Sequence, residues 1–158
     1  MLTSYFMLIF AEAIANRMET EYTLHIRTAL DACWIFLENR DKKGEELYRL
    51  LDDGTDFSGI FIYMQLDENE ANDLLWDNIS YAIGVTAKEA VEFENKKELP
   101  SSLENIEPEL LDVFIGNLKE ISMDLYHHVE TVKRFINRNP YPSRESALKE
   151  LDRLGLFR

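Results

Sequence analysis

The sequence predicts an all-α fold: a single domain over residues 1–158, built as a bundle of about seven helices with antiparallel neighbours. Apolar residues recur at spacings of three and four along most of the chain, which is the repeat of an α-helix. Only four prolines and six glycines interrupt the 158 residues, and that is few for a β fold with many turns. A chain of this length is most simply one domain with a sizeable core.

The N-terminal run from Tyr5 to Ala11 is apolar and predicts a buried first helix that ends at about Arg17. The run has no basic segment before it, is short, and continues into Glu12 without a clear cleavage site, so it is not typical of a secretion signal. No stretch approaches the roughly 18–20 apolar residues of a membrane span. We therefore expect a cytoplasmic protein.

The elements that follow are predicted from apolar spacing, caps and breakers. Thr20 is positioned to cap a second helix, Asp67 and Glu70 form a capping-box pattern before a long fifth helix, and Ser143 is positioned to cap the last one. The expected helices are 3–17, 20–39, 45–51, a short one within 57–66, 68–95 with a bend or break allowed at Gly84, 107–138, and one after Ser143 that closes at Gly155. Residues 96–108 are predicted to be a loop.

Residues 57–66 are the ambiguous segment, because Ile60 to Met64 is β-prone and a short apolar run cannot be assigned by its period alone. No second strand is evident to pair with it, so a short buried helix is favoured. In the second helix, Cys33 and Trp34 lie on the apolar face. Cys33 is expected to be a small buried side chain and not a nucleophile.

Charge is distributed unevenly along this acidic chain. The net charge is −13, and residues 44–77 alone contain ten acidic side chains and one basic one, whereas residues 130–158 contain seven basic and four acidic. Nucleic acid and anionic membranes repel such a chain. The acidic region fits either a solvated surface that maintains solubility or a docking face for a basic partner.

No motif predicts catalysis, metal binding or a cofactor. A nucleophile elbow and a glycine-rich phosphate loop are absent. His127 and His128 are adjacent, so on a helix they point about 100° apart and cannot ligate one metal together. The turn that begins at Asp52 and Asp53 lacks the glycine and glutamate offsets of a calcium loop.

The acidic region does contain candidate partner-binding residues. Glu70, Asp73 and Asp77 are spaced to share one helix face. Tryptophan at such a position is more often a core anchor, but Trp76 lies beside this acidic row, and we expect it to be partly exposed, where tryptophan often supplies binding energy. The predicted partner-binding set is Asp52, Asp53, Asp56, Glu70, Asp73, Trp76 and Asp77.

A family resemblance gives these residues a context. Ala29 to Leu51, with Trp34 in one helix and Gly44-Glu45-Glu46-Leu47-Tyr48 opening the next, resembles the sixth immunity-protein family of bacterial polymorphic toxin systems. The resemblance continues through the acidic turn to the helix with Trp76 and Tyr81, over residues 20–95. It implies an all-helical protein whose family-marker tryptophan is Trp34, and which neutralises a cognate toxin by binding it, without catalytic residues.

The sequence thus favours a cytoplasmic immunity protein whose acidic surface binds a toxin. That toxin is expected to be basic, and a basic nuclease is one class that fits. The alternative is a helical adaptor or homodimeric regulatory module without a toxin. A metal-dependent helical enzyme is a third possibility, which would retain metal on purification.

Overall fold

The computed structural model describes residues 3–41, 44–54, 58–94 and 109–157, which form nine α-helices and one 3-10 turn. The predicted all-α fold is confirmed. The helices are α1 (Thr3–Arg17), α2 (Thr23–Asn39), α3 (Gly44–Leu51), α4 (Ile60–Leu66), α5 (Asp73–Phe93), α6 (Leu110–Ile121), α7 (Met123–His127), α8 (Val129–Arg138) and α9 (Arg144–Arg153), and the 3-10 turn is Glu70–Asn72.

Helix α1 lies at the centre of the packing. Every residue from Ser4 to Ile14 is buried, on all faces of the helix. A helix that is apolar all round must be covered on every side, and α1 is covered by α2, α5, α8 and α9. The prediction of a buried first helix is confirmed.

Helix α2 packs with the predicted apolar face inward, including Ile26, Leu30, Cys33 and Trp34. The predicted cap at its start is wrong. The helix begins at Thr23, and the Thr20 hydroxyl accepts a hydrogen bond from the backbone N–H of Tyr22 in the preceding turn instead (3.2 Å).

Helix α3 is fixed closely against the end of α5. A Cβ atom at Gly44 would lie 2.2 Å from Cγ2 and 2.8 Å from the backbone nitrogen of Val91, so only glycine allows this approach. The N–H of Gly44 also donates to the Glu94 carboxylate. The start of α3 is therefore held against the end of α5.

The ambiguous segment forms a helix, α4, as favoured from the sequence. A single antiparallel bridge between Asp53 and Ser58 precedes it, with N···O distances of 2.9 and 3.3 Å. Within the described ranges this bridge is not extended into a strand, so the β propensity of the segment is not expressed as a sheet.

Two predictions about long helices are wrong. The helix expected over 68–95 begins at Asp73. The Asp67 carboxylate does not form the expected capping box with Glu70, because it accepts hydrogen bonds from the Asn69 N–H and from the Asn72 and Trp76 side chains. The helix then continues through Gly84 without a break. The loop predicted over 96–108 lies outside the described residues.

The helix expected over 107–138 is divided into α6, α7 and α8. Ser122 has extended backbone angles, its hydroxyl accepts from the Leu125 N–H, and the Arg17 guanidinium donates to the same hydroxyl (3.1 Å). Leu118, Leu125 and Val129 remain buried on both sides of the breaks. The buried positions thus keep one helical spacing across the breaks between α6, α7 and α8, so the spacing alone does not reveal those breaks. Ser143 caps α9 as predicted.

Candidate functional site

The predicted partner-binding carboxylates lie on three consecutive segments. Asp52 and Asp53 follow α3, Glu70 lies in the 3-10 turn, and Asp73 and Asp77 occupy the first two turns of α5. Asp56 lies outside the described residues. Glu70 and Asp73 are exposed, whereas Asp77 is partly buried.

Asp73 and Asp77 form a like-charge pair one helical turn apart. Burial raises the pKa of the Asp77 carboxyl, and the Asp73 charge raises it further. No ion pair joins Glu70, Asp73 or Asp77 to a basic side chain among the residues described. Like charges at this spacing repel one another, whereas the helix dipole favours acidic side chains in the first turn, so the start of α5 concentrates negative charge.

Trp76 is not exposed, so the expectation of partial exposure is wrong. Its side chain is 1% exposed, and its indole N–H donates to the Asp67 carboxylate at 2.8 Å. The position between Asp73 and Asp77 on the sequence suggested the acidic face, but the Trp76 ring packs against the Tyr22 ring, with 6.3 Å between centroids. Trp76 therefore has a structural role in the core, although it lies beside the acidic row in sequence.

Asp67 connects three segments around Trp76. The Asn72 side-chain amide donates both to Asp67 and to the carbonyl of Glu19, each at 3.0 Å. Burial opposes ionisation of Asp67, yet the hydrogen bonds from Asn72, Trp76 and Asn69 outweigh it and lower the pKa of the carboxyl. The start of α5 is thereby tied to the turn between α1 and α2.

A cluster of exposed and half-exposed side chains adjoins this point, and sequence reasoning missed it. The Tyr63 ring of α4 stacks with Tyr22, at 5.1 Å between centroids, and with His25, at 4.2 Å, and the Tyr22 and His25 centroids are 6.4 Å apart, so the three rings form a compact cluster. Leu24 directly precedes His25 and is 80% exposed, and Leu66 follows Tyr63 by three residues and is 56% exposed. We call Leu24, His25, Tyr63 and Leu66 the aromatic edge. Only the packing of α4 near α2 could reveal it, because nearly forty residues separate Leu24 and His25 in α2 from Tyr63 and Leu66 in α4.

A second group missed from the sequence surrounds Glu12, whose side chain is fully buried in α1. The Arg27 guanidinium donates to both of its carboxylate oxygens, and the Trp34 indole N–H donates to one of them at 3.0 Å. Arg144 of α9 approaches it to 3.4 Å, and Asp31 pairs with both arginines at 2.8 and 2.9 Å. The signal in the sequence was a lone carboxylate within an apolar run, which requires a buried cation.

The Glu12 cluster explains the part played by Trp34. The Trp34 side chain is 1% exposed. Its indole N–H donates to the buried Glu12 carboxylate, and its ring packs on the Tyr5 ring. A buried carboxylate that accepts hydrogen bonds from Arg27 and the Trp34 indole, with the Arg144 guanidinium at 3.4 Å, joins α1, α2 and α9. This arrangement serves the scaffold and does not present Trp34 to a partner.

Within the described ranges, Cys33 is a buried free cysteine. Burial raises the pKa of the Cys33 thiol to about 12, so it is not a thiolate at neutral pH. No group of three or more His, Cys, Asp or Glu side chains there is arranged to hold a metal ion. None of the described helices combines the length and apolarity needed to cross a membrane.

Comparison with known proteins supplies the family. No curated protein and no solved structure matches the chain. A family model described as Immunity protein Imm6 matches residues 3–121, well over half of the chain, including α1 to α6 and the Glu12–Trp34 contact. Immunity proteins of toxin systems are inhibitors and not enzymes. The chain therefore belongs to the Immunity protein Imm6 family, and its partner is a toxin.

Proposed function

We propose that this immunity protein neutralises its cognate toxin in the cytoplasm by binding a basic surface of the toxin. The proposed contact surface comprises the carboxylates at the start of α5 and after α3, together with the aromatic edge. A nuclease is the toxin class that such a surface fits best, because its substrate-binding face must be basic to hold phosphates.

The uncompensated charge at the start of α5 is the observation that carries this proposal. Some exposed charges elsewhere are paired along their helices, as in Arg49 with Glu45 and Lys149 with Glu145. Asp73 and Asp77 instead repel one another, and the pKa of Asp77 is raised by burial and by that repulsion. A lysine or arginine from a partner would remove the repulsion on binding and supply complementary charge.

The aromatic edge supports the same location. Interfaces gain most of their energy from a few large side chains with charged residues around them, and exposed aromatic rings lose little entropy when they are covered. Tyr63 and His25 are already stacked, so their rings are held in place before a partner arrives. The carboxylates would speed association and set orientation, while Leu24, Tyr63 and Leu66 would supply apolar contact.

The proposal is tested by titrating the purified chain into the toxin domain encoded by the adjacent gene, with binding followed by calorimetry and toxin activity measured in parallel. We expect saturable binding and loss of toxin activity over the same concentration range. Leu24→Ser/Leu66→Ser should weaken both without unfolding the protein, whereas Val113→Ser/Met123→Ser, at exposed apolar positions on α6 and α7, should leave both unchanged.

An adaptor or homodimer without a toxin gives the opposite result. In that case the chain elutes as a dimer in size-exclusion chromatography, fails to bind the neighbouring gene product and leaves its activity intact. That outcome would overturn the proposed mode of neutralisation.

A further inference from the structure

A second charged site lies in the basic C-terminal part of the chain, outside the residues that the family model matches. A groove of about 460 Å³ opens between α8 and α9. Its lining includes Thr131, Arg134, Phe135 and Arg138 from α8 and Glu150 and Arg153 from α9. We call it the arginine groove. Its volume falls within the roughly 300–1,000 Å³ of small-molecule sites.

One of its three arginines is neutralised within the protein. Arg153 donates through two nitrogens to both oxygens of the Glu150 carboxylate, and the Glu150 side chain is only 13% exposed. The Arg153 hydrogen bonds lower the pKa of Glu150 although burial opposes this, and the charge of Arg138 lowers it further. Glu150 is therefore occupied by Arg153 and fixed at the side of the groove.

The other two arginines retain their hydrogen-bonding capacity. Arg134 makes one long contact, 3.4 Å to the Thr131 hydroxyl. Arg138 has no hydrogen bond or ion pair with any residue that the structure describes. The two lie one helical turn apart, where like charges repel. Both side chains are exposed, so their positive charge is concentrated at the mouth of the groove and is available to attract an anion.

We propose that the arginine groove binds the phosphate group of a small organic ligand. A phosphate carries a charge of about −1.5 to −2 at neutral pH, which matches two unpaired guanidinium groups better than a single carboxylate does. Its oxygens accept the parallel N–H donors of arginine. The volume of the groove is larger than a phosphate group alone would fill. The Phe135 ring in its wall provides an apolar face for the organic part of the ligand.

The test uses isothermal titration calorimetry on the full chain with three probes: adenosine 5′-monophosphate, orthophosphate and adenosine. The groove variant is Arg134→Gln/Arg138→Gln. The matched control is Arg49→Gln/Lys149→Gln, which removes the same charge from two exposed ion pairs outside the groove. We expect both phosphate-bearing probes to bind and adenosine not to bind. The Kd should rise at least about tenfold in the groove variant and less than about twofold in the control, because charge-assisted hydrogen bonds are lost only in the former.

Comparison of the probes identifies the source of the phosphate. Tighter binding of adenosine 5′-monophosphate than of orthophosphate indicates an organic ligand, whereas equal affinity assigns the site to the free anion. If the glutamine variant does not fold, Arg134→Lys/Arg138→Lys replaces it; this retains the charge, loses the planar donor geometry, and should still weaken binding. Absence of binding at millimolar probe, or an equal loss in the Arg49/Lys149 control, would overturn the proposal.

Discussion

Arg27 donates hydrogen bonds from two nitrogens to the buried carboxylate of Glu12, at 2.7 and 2.5 Å, and so joins α2 to the central helix α1. The same carboxylate accepts the Trp34 indole N–H. Burial alone would lower the pKa of Arg27, but its hydrogen bonds to Glu12 and Asp31 raise it, so the guanidinium keeps its charge. A family-marker tryptophan is thus part of a charged centre and not only of an apolar core.

Replacement of Arg27 by methionine is expected to destabilise the protein strongly, because the buried Glu12 side chain would lose the main donor to its oxygens. Removing one partner of a buried pair typically costs about 3–5 kcal/mol, and Arg144 would offset part of this. Urea unfolding of both proteins measures the difference. The exposed pair Arg49–Glu45 is the control, and Arg49→Met should cost less than about 1 kcal/mol. Equal effects of the two substitutions would show that the Glu12 cluster has no special role.

Replacement of Arg144 by methionine is expected to loosen α9. Arg144 links α9 to Glu12 and to Asp31, and its backbone N–H donates to the Glu38 carboxylate. Amide hydrogen exchange along α9 should accelerate relative to α5 in Arg144→Met, since only local contacts with α1 and α2 are lost. Lys149→Met on the same helix, at an exposed pair, should leave the exchange unchanged. Unaltered exchange in Arg144→Met would contradict this assignment.

Asp67 is expected to make stability depend on pH in the acidic range. Its carboxyl has a lowered pKa in the folded protein, so its contribution is present above the ordinary aspartate pKa of about 3.9 and is lost as pH falls through the lowered folded value. The difference in unfolding free energy between wild type and Asp67→Asn should therefore be largest near neutral pH and shrink below about pH 4. Denaturant titrations at pH 3 to 7 measure it. A constant difference would rule out the charged hydrogen bonds as its origin.

Cys33 is expected to be unreactive until the protein opens. The thiol is fully buried and its pKa is raised to about 12 by burial, partly offset by a hydrogen bond with Thr86. Labelling with an aromatic disulfide reagent at pH 8 should be at least about a hundredfold slower in the native protein than in urea, because the reagent must await opening of the core. Native labelling at the unfolded rate would contradict the buried position.

The sequence predicted the fold class because apolar spacing reports local structure. Periodicity located α1, the apolar face of α2 and the buried positions from Leu118 to Ile136. It did not locate the breaks at Ser122 and His128, because the buried positions on both sides stay in phase with one helix. The break at Ser122 is held by a tertiary contact, the hydrogen bond from Arg17, which is 105 residues away in the chain.

The candidate site was predicted less completely, for the same reason. Charge density along the chain pointed to Glu70, Asp73 and Asp77, and their exposed or partly buried carboxylates lie on neighbouring turns. The orientation of Trp76 depends on Asp67, and the aromatic edge depends on α4 lying near α2. Each is a contact between segments, which a single sequence does not encode as a pattern.

The affinity of the toxin domain for Asp73→Lys/Asp77→Lys tests the central claim most directly. The matched control is Glu145→Lys/Asp152→Lys, which makes the same change of net charge at exposed positions on α9. We expect reversal at Asp73 and Asp77 to raise the Kd by at least about a hundredfold, since close charge pairs couple by several kcal/mol, and the control to change it by less than about threefold. A Kd that is unchanged by the Asp73/Asp77 reversal, or changed equally by the control, would contradict docking through the start of α5.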